Sequence, residues 1–194
     1  MPLSPSLMSY GAGTLDRLGS QPSLTGVSST TVQRGGQNVT TLTFTNYSLT
    51  INDTTPIATG GSVKIFDFPE GVISILCATG SLTFTTTSTL ASTLNASVTC
   101  SWGVGTVATA DGATLATTEQ DIIPTTAWTS SATINVANTA TRGTLAAPLN
   151  KDGGTTPVDA YLNVGVATAT DIDADATVAV NGTIVIVWSN VVDF

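Results

Sequence analysis

Between Thr177 and Ser189 the chain reads TVAVNGTIVIVWS. A single strand through Asn181-Gly182 would put Val178, Val180, Ile184, Ile186 and Trp188 on one face. A two-residue repeat sustained this long is the period of a β-strand with one buried face; a helix would scatter the same residues around its axis. The competing reading is a two-residue hairpin at Asn-Gly, which would divide these residues between two faces. One long strand keeps them together and is the reading taken here.

Other stretches carry the same period. In NVTTLTFTNYSLTI, from Asn38 to Ile51, Leu42 and Phe44 share one face while Tyr47, Leu49 and Ile51 share the other. The phase slips near Thr45 and Asn46, which predicts a bulge or a strand passing between sheets. SVKIFDF follows, then Pro69-Glu70-Gly71 as a tight turn, then the apolar run GVISILCA as a strand buried on both faces. SVTCSWGVGTVATA reads as one bent strand or two, broken at Gly103 and Gly105, and ATTEQDIIP has room for one short helical turn ended by Pro124. SATINVA alternates as a strand. DAYLNVGVATA alternates too, and is expected to pair antiparallel with the final strand across the acidic loop TDIDADA. Eight to ten short strands at this spacing predict an all-β fold, an antiparallel β-sandwich or barrel. Phe44, Ile65, Ile75, Val164, Ile184, Ile186 and Trp188 are its expected core.

Residues 1–36 lack either period and contain Pro2, Pro5 and Pro22. They read as an extended N-terminal arm, ahead of a β-domain over residues 37–194. Such an arm has no core of its own and gains order from what it touches. Its candidate partner-binding residues are Leu3, Leu7, Tyr10, Leu15, Arg17, Leu18, Leu24 and Arg34. Deleting 1–36 is expected to leave a folded domain without its attachment.

Composition narrows the function classes. Only 9% of residues are charged, histidine is absent, and nearly one residue in five is threonine. A histidine-dependent nucleophile has no base here. Thirteen acids face five bases, for a net charge of −8, and Arg17, Arg34, Lys64, Arg142 and Lys151 are scattered. That argues against direct binding of nucleic acid, which needs clustered cations. No apolar run reaches the roughly 18 residues of a membrane-spanning helix. The first residues lack the basic start and apolar core of a secretory signal, so the chain is expected to stay in the cytosol that makes it. Cys77 and Cys100 would be reduced there and read as buried small hydrophobes, a disulfide being the alternative.

Three further features have two readings each. Asp171, Asp173 and Asp175 alternate as in a calcium loop, but Ala176 and Gly182 stand where an EF-hand needs Gly and Glu, which favours a solvated acidic loop. Trp102, Trp128 and Trp188 would stack sugars if exposed, or fill the core if not. Asn-X-Ser/Thr triplets are frequent, as this much Ser and Thr makes inevitable. No catalytic, cofactor or metal residues are assigned, and the chain is read as a non-enzyme.

The stretches VTTLTFTNYSLTIND, SVKIFDFPEGVISI, DAYLNVGV and NGTIVIVWSN together resemble the capsid cement (decoration) proteins of tailed bacteriophages. The resemblance covers roughly residues 38–190, is strongest in YLN-V and GTIVIVW, and leaves out the arm. It implies a jelly-roll sandwich, a homotrimer, and a place on the outer capsid surface of a virion assembled in the host bacterial cytoplasm. The major capsid protein would be its partner, and the shell would be stabilised by its binding. The alternatives are a receptor- or glycan-binding module of a head fibre or tail adhesin, and a building block of the shell or tail itself.

Overall fold

The phase slip at Thr45–Asn46 is a β-bulge in the computed structural model, which describes residues 18–52, 60–86, 99–109, 114–130, 141–144, 149–153, 158–167 and 175–192. Strand β2 (Gln37–Ile51) pairs antiparallel with the last strand, and the register moves from Val180↔Tyr47 to Gly182↔Phe44. One extra residue on β2 restores the alternation. Leu42, Phe44, Leu49 and Ile51 therefore all reach the core.

Ten strands are described. They are β1 (Val27–Arg34), β2, β3 (Gly60–Asp67), β4 (Gly71–Thr86), β5 (Thr99–Gly105), β6 (Ile123–Thr129), β7 (Thr141–Thr144), β8 (Leu149–Gly153), β9 (Asp159–Val166) and β10 (Ala176–Val192). The larger sheet runs β1-β2-β10-β4-β7, with β8 also paired to β4, and the smaller runs β3-β9-β5-β6. Every pairing between these strands is antiparallel. A short 3₁₀ turn at Thr117–Glu119 occupies the place expected for helix. The chain is an antiparallel β-sandwich.

β10 is one strand through Asn181-Gly182, and it forms the spine of the larger sheet between β2 and β4. Ala176, Val178, Val180, Ile184, Ile186 and Trp188 are all buried. All seven residues expected in the core lie there. Phe84 packs with Trp102 and Trp128 near one end of β10, and Phe66 and Phe68 pack with Trp188 near the other. Such edge-on and stacked aromatic pairs add about 0.5–1.5 kcal/mol each beyond their burial. The indole N–H of Trp188 donates to Thr40 Oγ1 at 2.9 Å, so a polar atom in the core has its partner.

The structure corrects three expectations. β9 and β10 do not pair; β9 lies between β3 and β5 in the opposite sheet. Its buried Ala160, Leu162, Val164 and Val166 complete the smaller sheet, while β10 fills the gap between β2 and β4. The segment around Pro69 carries the chain from β3 in one sheet to β4 in the other. Cys77 is exposed, although Cys100 is buried, and neither is in a disulfide. The register moves from Val187↔Cys77 to Trp188↔Ile75, so a bulge at Leu76 turns the next side chain outward. Finally, Val27–Arg34, inside the expected arm, is strand β1. Gly35 and Gly36, at φ 56° and 85°, make the left-handed two-residue turn that joins it to β2. The SATINVA strand and Asp171 and Asp173 of the acidic loop lie outside the described residues.

Candidate interaction surface

The expected partner-binding residues divide by position. Leu3, Leu7, Tyr10, Leu15 and Arg17 lie outside the described residues. Leu18 is 41% exposed, Leu24 is half-buried, and Arg34 is exposed at the β1–β2 turn. From Ser20 the chain is attached to the sandwich. Ser20 and Asp67 exchange backbone hydrogen bonds at 2.9 and 2.7 Å, and Gln21 Nε2 donates to the Val27 carbonyl at 3.0 Å. Leu18 and Arg34 are thus presented from fixed backbone, at two separate places on the surface.

No tryptophan forms an exposed platform. Trp102 and Trp188 are fully buried and Trp128 retains 4% of its surface, stacked on Phe84 at 4.6 Å between ring centres. Sugar stacking needs an open aromatic face, so these residues serve the core.

Surface loops are held by buried polar side chains. Asn163 sits mid-strand in β9 with no exposure. Its Oδ1 accepts from Ser62 Oγ at 2.6 Å and the Thr109 N–H at 3.0 Å. Its Nδ2 donates to the carbonyls of Val107 at 2.9 Å and Glu119 at 2.7 Å. All four hydrogen-bonding positions of the amide are filled, and the segment after β5 is fixed to the smaller sheet. Asp121 accepts from the N–H and hydroxyl of Thr106, both at 2.9 Å, and meets Lys151 Nζ on β8 at 2.6 Å. That ion pair connects a loop of the smaller sheet to a strand of the larger.

A second polar cluster covers the outer face of β3 and β9. Lys64 Nζ lies 2.6 Å from Asp67 and 3.3 Å from Asp159, and Tyr161 donates to Asp159 at 2.9 Å. Asp67 and Asp159 are direct cross-strand partners. Burial, helped by the hydrogen bond shared with Asp159, pushes the Asp67 carboxyl above its usual value. Burial alone would raise Asp159 as well, but hydrogen bonds from Asp67 and Tyr161 and the Lys64 charge hold it below. The hydrogen bond to Asp67 raises Lys64 against the effect of burial. Burial and Asp159 raise Tyr161. One cation between two carboxylates, with the Tyr161 hydroxyl donating to one of them, makes a self-contained network. Among the described residues no group of three or more metal-ligating side chains is assembled.

Two features have no clear sequence signal. The cross-strand neighbours Asp67 and Asp159 are 92 positions apart and meet only through the β3–β9 register. β1 lacks a persistent apolar face because one face is exposed and the other, with Val27, Ser29 and Thr31, is only half-buried; the Gly35-Gly36 pair was its one available marker. Comparison with family models, with curated proteins and with solved structures gave no match.

Proposed function

We propose that the protein is a non-catalytic structural component of a tailed-phage virion, a cement protein on the outer capsid surface that binds the major capsid protein and stabilises the shell. One observation carries the reading. The four stretches on which the resemblance rests fall on β2, on β3 with the start of β4, on β9 and on β10, the strands that build the core. The proposal includes a jelly-roll connectivity, a homotrimeric assembly and an attachment arm within residues 1–36.

The physical logic supports it. A cement protein needs a firm body and a surface that tolerates close contact, and this sandwich has a contiguous core in which the side chains of Asn163 and Trp188 find hydrogen-bond partners. Repetition over a shell multiplies weak contacts into stable attachment. The glycan-binding alternative loses support, because all three tryptophans are buried.

The test is co-sedimentation of the purified protein with tailed-phage capsids stripped of their decoration. The full chain is expected to bind at saturable stoichiometry and to raise the temperature at which the shell disrupts. Removing residues 1–17 is expected to abolish binding while leaving the β-domain folded. Truncation at residue 36 is not a usable variant, since it removes β1 from the sheet. Absence of binding by the full chain would overturn the reading, and full binding by the 1–17 truncation would overturn the arm. Self-assembly into large particles would instead identify a shell or tail building block.

A further inference from the structure

β1 is an edge strand without the devices that usually protect one. Sheet edges are commonly blunted by lysine, proline, a bulge or an inward charge, because their open N–H and C=O groups template another strand. Val27–Gln33 contains no charged residue and no proline. Its register with β2 runs one to one from Val27↔Phe44 to Arg34↔Gln37, with no bulge. No described strand pairs with its outer side. The smaller sheet gives it no cover either, since β3 packs against β2 and only Val27 of β1 reaches the core. Ser28, Thr30 and Val32 are exposed, Val32 by 44%.

Charge indicates what can cover this edge. The chain carries −8 overall, but between residues 18 and 52 the only charged residue is Arg34, so the rest carries −9. Two copies repel wherever their carboxylates face each other, and the β1–β2 hairpin is the long stretch where they do not. The strand also suits itself. Paired antiparallel about a dyad at Thr30, it sets Ser28 against Val32, Ser29 against Thr31 and Thr30 against its own copy, and leaves the two Arg34 side chains at opposite ends. β-branched and hydroxyl pairs of this kind are favourable across antiparallel strands.

We propose that the outer edge of β1 pairs antiparallel with β1 of a second copy of this chain, joining the two larger sheets into one across a dyad. Such a contact uses the same patch on both copies and closes at two. It stands apart from the cement reading. A threefold assembly would have to use other surfaces, and this edge would then link one assembly to another.

The experiment uses the full chain. Sedimentation at micromolar concentration is expected to give a species whose mass falls by half in the Thr30→Lys/Val32→Lys variant, with an unchanged far-ultraviolet circular dichroism spectrum. In a Cys77→Ser background, Thr30→Cys is expected to form an intermolecular disulfide under mild oxidation, while Ala127→Cys on the β6 edge does not. A monomeric native chain, or a native mass that the two lysines leave unaltered, overturns the proposal. So does backbone exchange at β1 that becomes protected only when capsids are added, which would assign the edge to a strand of the capsid protein. Capsid binding is read separately, so a failed dimer test leaves the cement reading standing, and a failed binding test leaves this one.

Discussion

The backbone N–H of Asn46 donates to the side-chain oxygen of Asn181 at 2.8 Å, across the bulge where β2 and β10 change register. Asn46 is the only non-glycine residue with positive φ among the described residues, at 50°. Asparagine is one of the few side chains that adopt this conformation readily. On the other strand Gly182 has φ 130°, and a Cβ there would lie 2.1 Å from the Ser81 carbonyl oxygen. The two strands thus accommodate the extra residue together. Asn46→Gly is expected to be near neutral, and Asn46→Val to cost about 1–3 kcal/mol through backbone strain. Asn181→Ala is expected to cost about 1 kcal/mol. Gly182→Ala is expected to exceed about 3 kcal/mol, because the obstructing atom is backbone and cannot turn away. Urea denaturation of the four variants checks the order; a Gly182→Ala protein as stable as the native chain would refute it.

Asn163 makes a different prediction, because its own side chain is fully buried and holds four separate groups. Replacing it with Leu keeps the branched shape but leaves two carbonyls, one N–H and one hydroxyl without the bonds they make now. The expected loss is about 3–5 kcal/mol, since stranded polar groups incur a full desolvation cost. Asn163→Asp keeps the acceptor but loses both donated bonds and places a charge where exposure is zero, so it should be no better at neutral pH. Hydrogen exchange adds a local readout. The Thr109 amide is expected to lose protection in the Leu variant, which removes its acceptor, while β10 amides keep theirs wherever the fold survives. Retained protection at Thr109 would show that other contacts hold the loop.

Alternation made β10 and the slip in β2 legible, because a period of two reports which face of a strand is buried. It does not report which strand lies beside which. DAYLNVGV and TVAVNGTIVIVWS each read correctly as strands, yet they belong to opposite sheets. The same limit hid the meeting of Asp67 with Asp159, which depends on register alone. Cys77 was obscured for another reason. In an apolar run a bulge leaves no trace in the pattern, because the residues on either side of the slip look alike. β1 was missed because an overhanging strand needs no apolar face, so its threonines and serines resembled linker.

The Asp67–Asp159 pair predicts a pH dependence with two opposite limbs. Asp159 has its folded pKa lowered from 3.8, so its contribution is present above 3.8 and is lost as pH falls through the lowered value. Asp67 has its folded pKa raised from 3.8. Its contribution is fully present below 3.8 and is lost as pH rises through the raised value. The pair is therefore expected to favour the folded state most near pH 3.8, where Asp67 holds the shared proton and Asp159 is still ionised. The two side chains keep 29% and 25% of their surface exposed, so screening reduces the amplitude. The signature is the shape of a difference curve. Denaturant unfolding of the native chain and of Asp67→Asn between pH 3 and 7, on the order of the carboxylate range, isolates the Asp67 limb. The native chain is expected to gain stability relative to the variant as pH falls toward 3.8. A flat difference across that interval would mean that Asp67 does not hold the proton, and that Lys64 alone joins the two carboxylates.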